Sequence, residues 1–175
     1  MNMTHSKSVR FAATTALAAI GLTASALAHD GHDRPGPEKE PKLRAATILQ
    51  LEEVRHATAR FHDVDRAVAE GYVDIGLFIP NMGWHYLKQS LLDSNFDAEE
   101  PELLVYADAP CDGKRRLVAV EYAVPLNLSK KAPTGFIGRA DEWVVNNAFQ
   151  LWTLHAWVWE FNPDGVFAAT NPRVR

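Results

Sequence analysis

The spacing of apolar residues along the chain predicts one helical segment followed by strands. Over residues 42–70 the apolar positions recur with a helical period, and Gly71 ends the run. The positions that define this stripe are Leu43, Val54, Phe61 and Val68. A break is predicted near residues 62–63, where Asp63 can cap a second short helix.

The strongest strand signals lie in the middle of the chain. The segments ELLVYA (102–107) and RLVAVEYAVPL (116–126) flank the turn-forming pair Asp112-Gly113, which predicts a β-hairpin. Period-two alternation gives the second strand a core face with Val118, Val120, Tyr122 and Val124. Its other face has Leu117, Ala119, Glu121 and Ala123. Glu121 therefore projects among alanines, which leave room for a pocket.

Two further strands are predicted, GWHYL (83–87) after a tight turn and LWTLHAWVWEF (151–161). The remainder of residues 72–101 is predicted to be irregular. In the second strand, one face would carry Leu151, Thr153, His155, Trp157, Trp159 and Phe161. Both of its faces are largely apolar, so this strand is expected to be buried on both sides or to close over a pocket.

A helix followed by antiparallel strands predicts an α+β fold. We expect the N-terminal helix, broken near residues 62–63, to pack on a curved antiparallel sheet or half-barrel. No internal repeat is present, and residues 42–175 are of ordinary size for a single domain.

The first 28 residues have the pattern of a secretory signal peptide. Lys7 and Arg10 flank the start of an apolar run, and small residues ending at Ala28 predict cleavage before His29. Residues 29–41 are rich in Pro, Gly and charge and are predicted to be a disordered lead-in. The mature protein is therefore expected to be soluble and periplasmic or extracellular, as a monomer or a homodimer.

Charge and composition narrow the classes of partner. The formal net charge of −4 becomes −6 once Lys7 and Arg10 are removed, and no basic stripe is present, so nucleic acid binding is not expected. No apolar run approaches the roughly 20 residues of a membrane-spanning helix. The single cysteine, Cys111, excludes an intramolecular disulfide. A metal ion or a small molecule is the expected partner.

Three ionisable residues, His85, Glu121 and His155, lie within otherwise apolar strands. Burying any of them alone is costly, so we expect the three side chains to meet. Two imidazoles and one carboxylate suit Zn²⁺ with an open position or non-haem Fe(II), and copper or manganese is also compatible. The sequence therefore predicts a divalent transition-metal site built from three separate strands.

Other residues are assigned supporting roles at this site. The expected pocket walls are Met82, Trp84, Tyr86, Trp157 and Trp159. Two histidines are weaker ligand candidates. His62 lies at the edge of the helical stripe, and His29 would carry a free α-amino group that can chelate a cupric ion together with its imidazole.

Three functions remain open at this point. The pattern is compatible with an exported binding protein that has a His/Glu pocket, and with a small metal-dependent or acid–base enzyme that uses His155 and Glu121. It is also compatible with a non-catalytic domain in which the three residues form a buried hydrogen-bond network. The sequence contains no nucleophile elbow, glycine-rich phosphate loop or paired-cysteine motif that would name a reaction.

Several segments together resemble a family of exported bacterial proteins of uncharacterised function. They are ATARFHDVDRAVAEGY, MGWHY, PELLVYA, LVAVEYAV and LHAWVWEFNPDGVFAATNP, which all lie within residues 55–173. The family shares MGxHY, LVxVEY and LHxWxWxxNPxGxF motifs. The resemblance implies a single extracytoplasmic domain and supplies no reaction. It implies that the family pattern includes Met82, Gly83, His85, Tyr86, Glu121, Tyr122, His155, Trp157, Asn162, Pro163 and Gly165.

Overall fold

The structure is a computed structural model that describes residues 43–110 and 113–175. The predicted signal peptide (1–28), the lead-in (29–41) with His29, and Cys111 lie outside the described residues. In the part of the chain that is described, no helix is both long and apolar enough to cross a membrane.

The N-terminal helical segment is broken as the sequence predicts. It consists of α1 (Ala45–Thr58), a 3-10 turn (Ala59–His62) and α2 (Val64–Ala69). The Asp63 carboxylate caps α2 by accepting a hydrogen bond from the Asp65 backbone N–H at 3.1 Å. Because the break changes the helical phase, Ala67 is the buried residue of α2, whereas Val68 of the predicted stripe is exposed.

Within residues 43–110 and 113–175, six antiparallel strands form one sheet in the order β1-β2-β3-β4-β6-β5. The strands are β1 (Val73–Ile79), β2 (Gly83–Leu87), β3 (Leu103–Asp108), β4 (Arg115–Pro125), β5 (Val144–Asn146) and β6 (Leu151–Ala156). One face of the sheet shares a core, the helix-side core, with the N-terminal helical segment. Its members include Leu51, Val54, Phe61, Leu104, Tyr106, Val120, Tyr122 and Leu154. The predicted α+β fold with a helix packed on an antiparallel sheet is therefore confirmed.

Strand β1 lies in a segment that the sequence pattern predicts to be irregular. Its pairing with β2 shifts register between Asp74 and Leu77, where the Asp74 carboxylate accepts a hydrogen bond from the Gly76 N–H at 2.8 Å. Gly76 has a φ of 67°, which favours glycine. Since β1 is also an edge strand with mostly exposed side chains, it lacks the alternating pattern by which a half-buried strand is recognised.

A β-bulge at Val118 corrects the predicted faces of β4. Val105 pairs with Ala119 and the next residue, Tyr106, pairs with Leu117, so Val118 is the extra residue. Leu117 therefore belongs to the helix-side core, while Val118 and Ala119 pack with Val105 on the opposite face. Beyond the bulge the predicted alternation holds, with Val120 and Tyr122 in the helix-side core.

Strand β6 is shorter than the sequence predicts and ends at Ala156. The Val158 N–H turns back to the Ala156 carbonyl at 2.9 Å, and the Trp159 N–H bonds to the Val118 carbonyl at 3.2 Å. This turn ends the period-two alternation, so Trp159 packs against the helix-side core and Phe161 is exposed. Neither aromatic side chain shares a face with His155, contrary to the prediction for an extended strand.

Candidate metal centre

The sheet register places His85, Glu121 and His155 on one face. Glu121 of β4 pairs directly with His155 of β6. His85 of β2 pairs with Val105 of β3. Glu121 pairs with Leu103, which is also on β3 and two residues before Val105. Since residues two apart on a strand project to the same side, His85 reaches across β3 toward Glu121. Strands β2 and β4 lie about 9–10 Å apart, which two long side chains can span.

The three side chains meet in a buried cluster, as the sequence predicts. Glu121 Oε2 lies 3.5 Å from His85 Nε2, and Glu121 Oε1 lies 3.7 Å from His155 Nε2. One ligand atom from each residue lies within 4.8 Å of the other two, and the residues are 2%, 6% and 5% exposed in the order His85, Glu121, His155. Tetrahedral coordination at bonds of about 2.0–2.2 Å requires ligand atoms roughly 3.3–3.6 Å apart. The cluster therefore needs to contract by at most about 1.5 Å to hold a metal ion in this geometry.

A backbone carbonyl fixes the proton on the His85 ring. His85 Nδ1 lies 3.3 Å from the Leu77 carbonyl oxygen of β1. Because a carbonyl only accepts hydrogen bonds, Nδ1 carries a proton and donates it, and in the neutral ring Nε2 is then the nitrogen that presents a lone pair to Glu121. A ring nitrogen held by a carbonyl while the other faces the metal is the usual arrangement of metal-binding histidines.

The second histidine has an unused ring nitrogen. Among the described residues, His155 Nε2 is one of the buried side-chain atoms that lack a hydrogen-bond partner. The ring is held by Trp157, with the ring centroids 6.0 Å apart and the planes inclined by 11°. A buried nitrogen without a partner costs about 1–3 kcal/mol, and a bound cation would remove that cost.

Burial sets the charges of this cluster. It raises the pKa of the Glu121 carboxyl, although the nearby His85 opposes the shift. It lowers the pKa of His155 to about 4, so this imidazole is neutral at physiological pH. The protein therefore offers a neutral nitrogen ligand, His155, beside a carboxyl group whose ionised form a nearby positive charge would stabilise.

A cavity of about 120 Å³ lies beside the three residues, and all three line it. Most of its other walls are aliphatic side chains, including Leu77, Ile79 and Leu103. Met82, an expected pocket wall, lines the cavity as well. The open side of a metal bound by the cluster would therefore face apolar surroundings.

The structure places the four expected aromatic walls outside this cavity. Trp84 and Tyr86 flank His85 in β2 and project to the opposite face, where Tyr86 packs on Tyr106 with ring centroids 4.9 Å apart. The Trp157 ring lies nearly parallel to the His155 ring, and Trp159 donates from Nε1 to the Thr58 hydroxyl at 3.1 Å. The three tryptophans and Tyr86 therefore support the fold. Trp84 and Tyr86 are direct neighbours of His85 in a strand, so the alternation of side chains already excludes them from the face of the sheet that carries His85.

His62, the weaker candidate within the described residues, does not join the cluster. Its side chain is exposed, and its ring packs against Trp159 with the centroids 4.3 Å apart. In residues 43–110 and 113–175, the group formed by His85, Glu121 and His155 is the one set of three His, Cys, Asp or Glu side chains with a metal-binding arrangement.

Sequence reasoning missed three polar residues. Thr153 and Asn146 line the cavity. Thr153 could have been found, because it is two residues from His155 in one strand and shares its face, whereas nothing in the sequence marks Asn146.

Glu102 is buried elsewhere, where its Oε2 accepts a hydrogen bond from the Ala123 N–H at 3.1 Å. Burial raises the pKa of Glu102 to about 8.

Comparisons of this chain with protein-family models, with curated proteins and with solved structures find no match. The functional conclusion therefore rests on the chemistry of the cluster itself.

Proposed function

We propose that the protein is an exported binding protein that holds a divalent transition-metal ion with His85, Glu121 and His155. One observation carries the proposal: the three groups converge in a buried place, where the Glu121 carboxyl group faces the Nε2 atom of each histidine. In the neutral His85 ring, whose Nδ1 proton is donated to the Leu77 carbonyl, the Nε2 lone pair points at a Glu121 oxygen 3.5 Å away. Two acceptors at this distance need a positive charge between them, which a proton or a metal ion can supply.

The donor set favours a metal ion over a proton. A shared proton would satisfy one histidine–carboxylate pair and leave the nitrogen of the other histidine without a partner. A metal ion accepts lone pairs from all three groups at once. Two imidazole nitrogens and one carboxylate suit Zn²⁺ or Fe(II), with copper and manganese as further candidates, and three protein ligands leave a coordination position open.

The cavity supports a second candidate function, a small metal-dependent enzyme. A hydrogen-bond network without catalysis requires no space beside the three side chains, whereas the protein has a cavity of about 120 Å³ there. An open coordination position that faces a cavity is the arrangement in which a substrate can reach a catalytic metal.

Elemental analysis tests the metal site directly. Tag-free protein is reconstituted separately with Zn²⁺, Fe²⁺, Cu²⁺ or Mn²⁺ and desalted, and its metal content is compared with that of His85→Ala and His155→Ala. We expect stoichiometric uptake of at least one of these ions by the wild type and a large loss in both variants. His62→Ala is the matched control, since its histidine is exposed and lies outside the cluster.

Two results would overturn the metal proposal. One is a wild-type protein that retains no metal after reconstitution, and the other is equal retention in the two alanine variants. Removal of residues 29–41 separates the His29 site from the cluster, since uptake that depends on His29 disappears with this segment. Export is tested by N-terminal sequencing of the protein from the extracytoplasmic fraction, which should begin at His29.

A further inference from the structure

The cavity beside the candidate metal centre has the size of a small organic group. An engineered protein cavity of about 150 Å³ lined by aliphatic and aromatic side chains takes up benzene, which has six heavy atoms. The cavity here measures about 120 Å³, which by the same scale corresponds to about five heavy atoms. Its walls are mostly aliphatic, so the group that fills it is apolar.

The charge of the centre selects the head group of that ligand. A divalent ion held by one carboxylate and two neutral imidazoles retains one positive charge. Among the described residues that line the cavity, Glu121 is the sole acid and neither lysine nor arginine is present. An unpaired charge in apolar surroundings is costly, so a ligand with a single negative charge is favoured over a neutral one or a dianion.

The ligand has a route to the cavity from solvent. Ile75 and Phe149 line the cavity and are 42% and 51% exposed, which places them at its mouth. A second cleft of about 240 Å³ shares Met82, Asn146, Thr153 and His155 with the cavity. The cavity therefore opens toward solvent beside Ile75 and Phe149, and His155 borders both the cavity and the cleft.

On the basis of the metal centre proposed above, we propose that the cavity is the binding site for a short-chain aliphatic monocarboxylate. The carboxylate takes the open position on the metal ion and neutralises the remaining charge. The alkyl chain fills the space between the aliphatic walls, and its length is limited by the volume of the cavity.

A chain-length series tests this ligand class on the full chain loaded with Zn²⁺. Binding of linear carboxylates from acetate to octanoate is measured by calorimetry, and the metal content of each sample is measured in parallel. We expect the affinity to rise about fourfold per methylene group, which corresponds to about 0.8 kcal/mol, up to pentanoate or hexanoate. Octanoate should bind more weakly, and 1-pentanol, which has a similar tail and no charge, should bind much more weakly than pentanoate.

Variants of Leu92 test whether the volume of this cavity sets the preferred alkyl chain length of the carboxylate. Leu92 lines the cavity, lies outside the strands and is half-buried, so the fold has room to accept a change. Leu92→Phe should shift the preferred carboxylate to a shorter chain, and Leu92→Ala should shift it to a longer one. Leu49→Phe, an exposed position on α1, is the matched control and should leave the preferred length unchanged.

The outcomes separate this inference from the metal proposal. A protein that binds Zn²⁺ but shows equal affinity for all chain lengths retains the metal centre and loses the carboxylate site. The same conclusion follows if 1-pentanol equals pentanoate, or if the Leu92 variants prefer the wild-type chain length. A protein that binds no metal overturns both proposals together.

Discussion

Replacement of Glu121 by glutamine provides the sharpest test of the cluster, because its effect changes sign with metal. Glutamine has nearly the same shape as glutamate and carries no charge. In the metal-free protein the buried carboxyl group is a cost, whereas in the metal-bound protein it is a ligand. A buried hydrogen-bond network would give the opposite sign in the metal-free state, since the wild-type carboxyl would then contribute to stability.

The cost in the metal-free protein can be bounded from the pKa of Glu121. Burial raises this pKa above its ordinary value of 4.5. A buried carboxyl can avoid its charge by taking up a proton, so at pH 7 its burial costs at most about 3 kcal/mol, at 1.36 kcal/mol per pH unit above the ordinary pKa. Glutamine avoids that cost, but its buried amide makes incomplete hydrogen bonds, which costs about 1 kcal/mol. Glu121→Gln should therefore stabilise the metal-free protein by up to about 2 kcal/mol, or about 4–8 °C in Tm.

The pH dependence of this gain follows from proton linkage. Between pH 4.5 and the raised native pKa, the folded carboxyl holds a proton that the unfolded chain releases. The stability of the wild type attributable to Glu121 therefore falls as the pH rises through this interval. The advantage of Glu121→Gln should accordingly be larger at pH 7.5 than at pH 5.

Metal reverses the ranking of the two proteins. A metal ion at 100 times its dissociation constant stabilises the wild type by about 2.7 kcal/mol. Glu121→Gln removes the charged ligand and should lose most of this shift. Thermal unfolding with a chelator and with added Zn²⁺, at both pH values, measures all four combinations.

A partnered glutamate provides the control for this experiment. Glu160 forms ion pairs with Arg116 at 2.7 Å and with Arg173 at 2.9 Å. Glu160→Gln should lower the stability by no more than about 1 kcal/mol and leave the metal-induced shift intact. If Glu121→Gln destabilises the metal-free protein, or keeps the metal-induced shift, the reasoning about the cluster is wrong.

Three further predictions concern the framework around the cluster. Thr58→Val removes the buried acceptor of Trp159 Nε1 and should cost about 1–3 kcal/mol in denaturant unfolding, with metal uptake unchanged; wild-type stability would contradict this. The pKa of Glu102 is raised to about 8, so the folded protein holds a proton that the unfolded chain releases, and stability falls as the pH rises from 4.5 toward 8. Glu102→Gln should therefore flatten the dependence of Tm on pH, and an unaltered slope would refute the raised pKa. Gly83→Ala sets a Cβ against the Tyr106 carbonyl at a φ of 116° and should cost at least about 2 kcal/mol, as measured by urea unfolding; a loss below about 0.5 kcal/mol would contradict the strain.

Period-two alternation accounts for most of what could be predicted about the site. It placed Glu121 and His155 on defined faces of their strands, and the structure brings both together with His85. The same rule, applied to β2, would have separated Trp84 and Tyr86 from His85. The pocket-wall prediction relied on proximity in sequence, which for adjacent strand residues means opposite faces of the sheet.

The departures from prediction share a physical cause. The bulge at Val118, the irregular β1 and the end of β6 all depend on hydrogen bonds between particular backbone groups. The Val118 carbonyl accepts from the N–H groups of Trp159 and Glu160, far along the chain. Residue types at these positions carry little information about such pairings, because every residue except proline offers the same N–H and C=O groups.

The sequence by itself determined the chemical content of the candidate site, since three ionisable side chains in apolar strands must be satisfied by one another, by the backbone or by a ligand. Tertiary structure decided the geometry. The strand order sets Glu121 beside His155, and β1 brings the Leu77 carbonyl to His85 Nδ1, so that Nε2 faces the carboxylate. Side-chain alternation is a local property of each strand, whereas register, tautomer and cavity arise from pairings between distant segments, and these turn three polar residues into a site that can hold a metal ion.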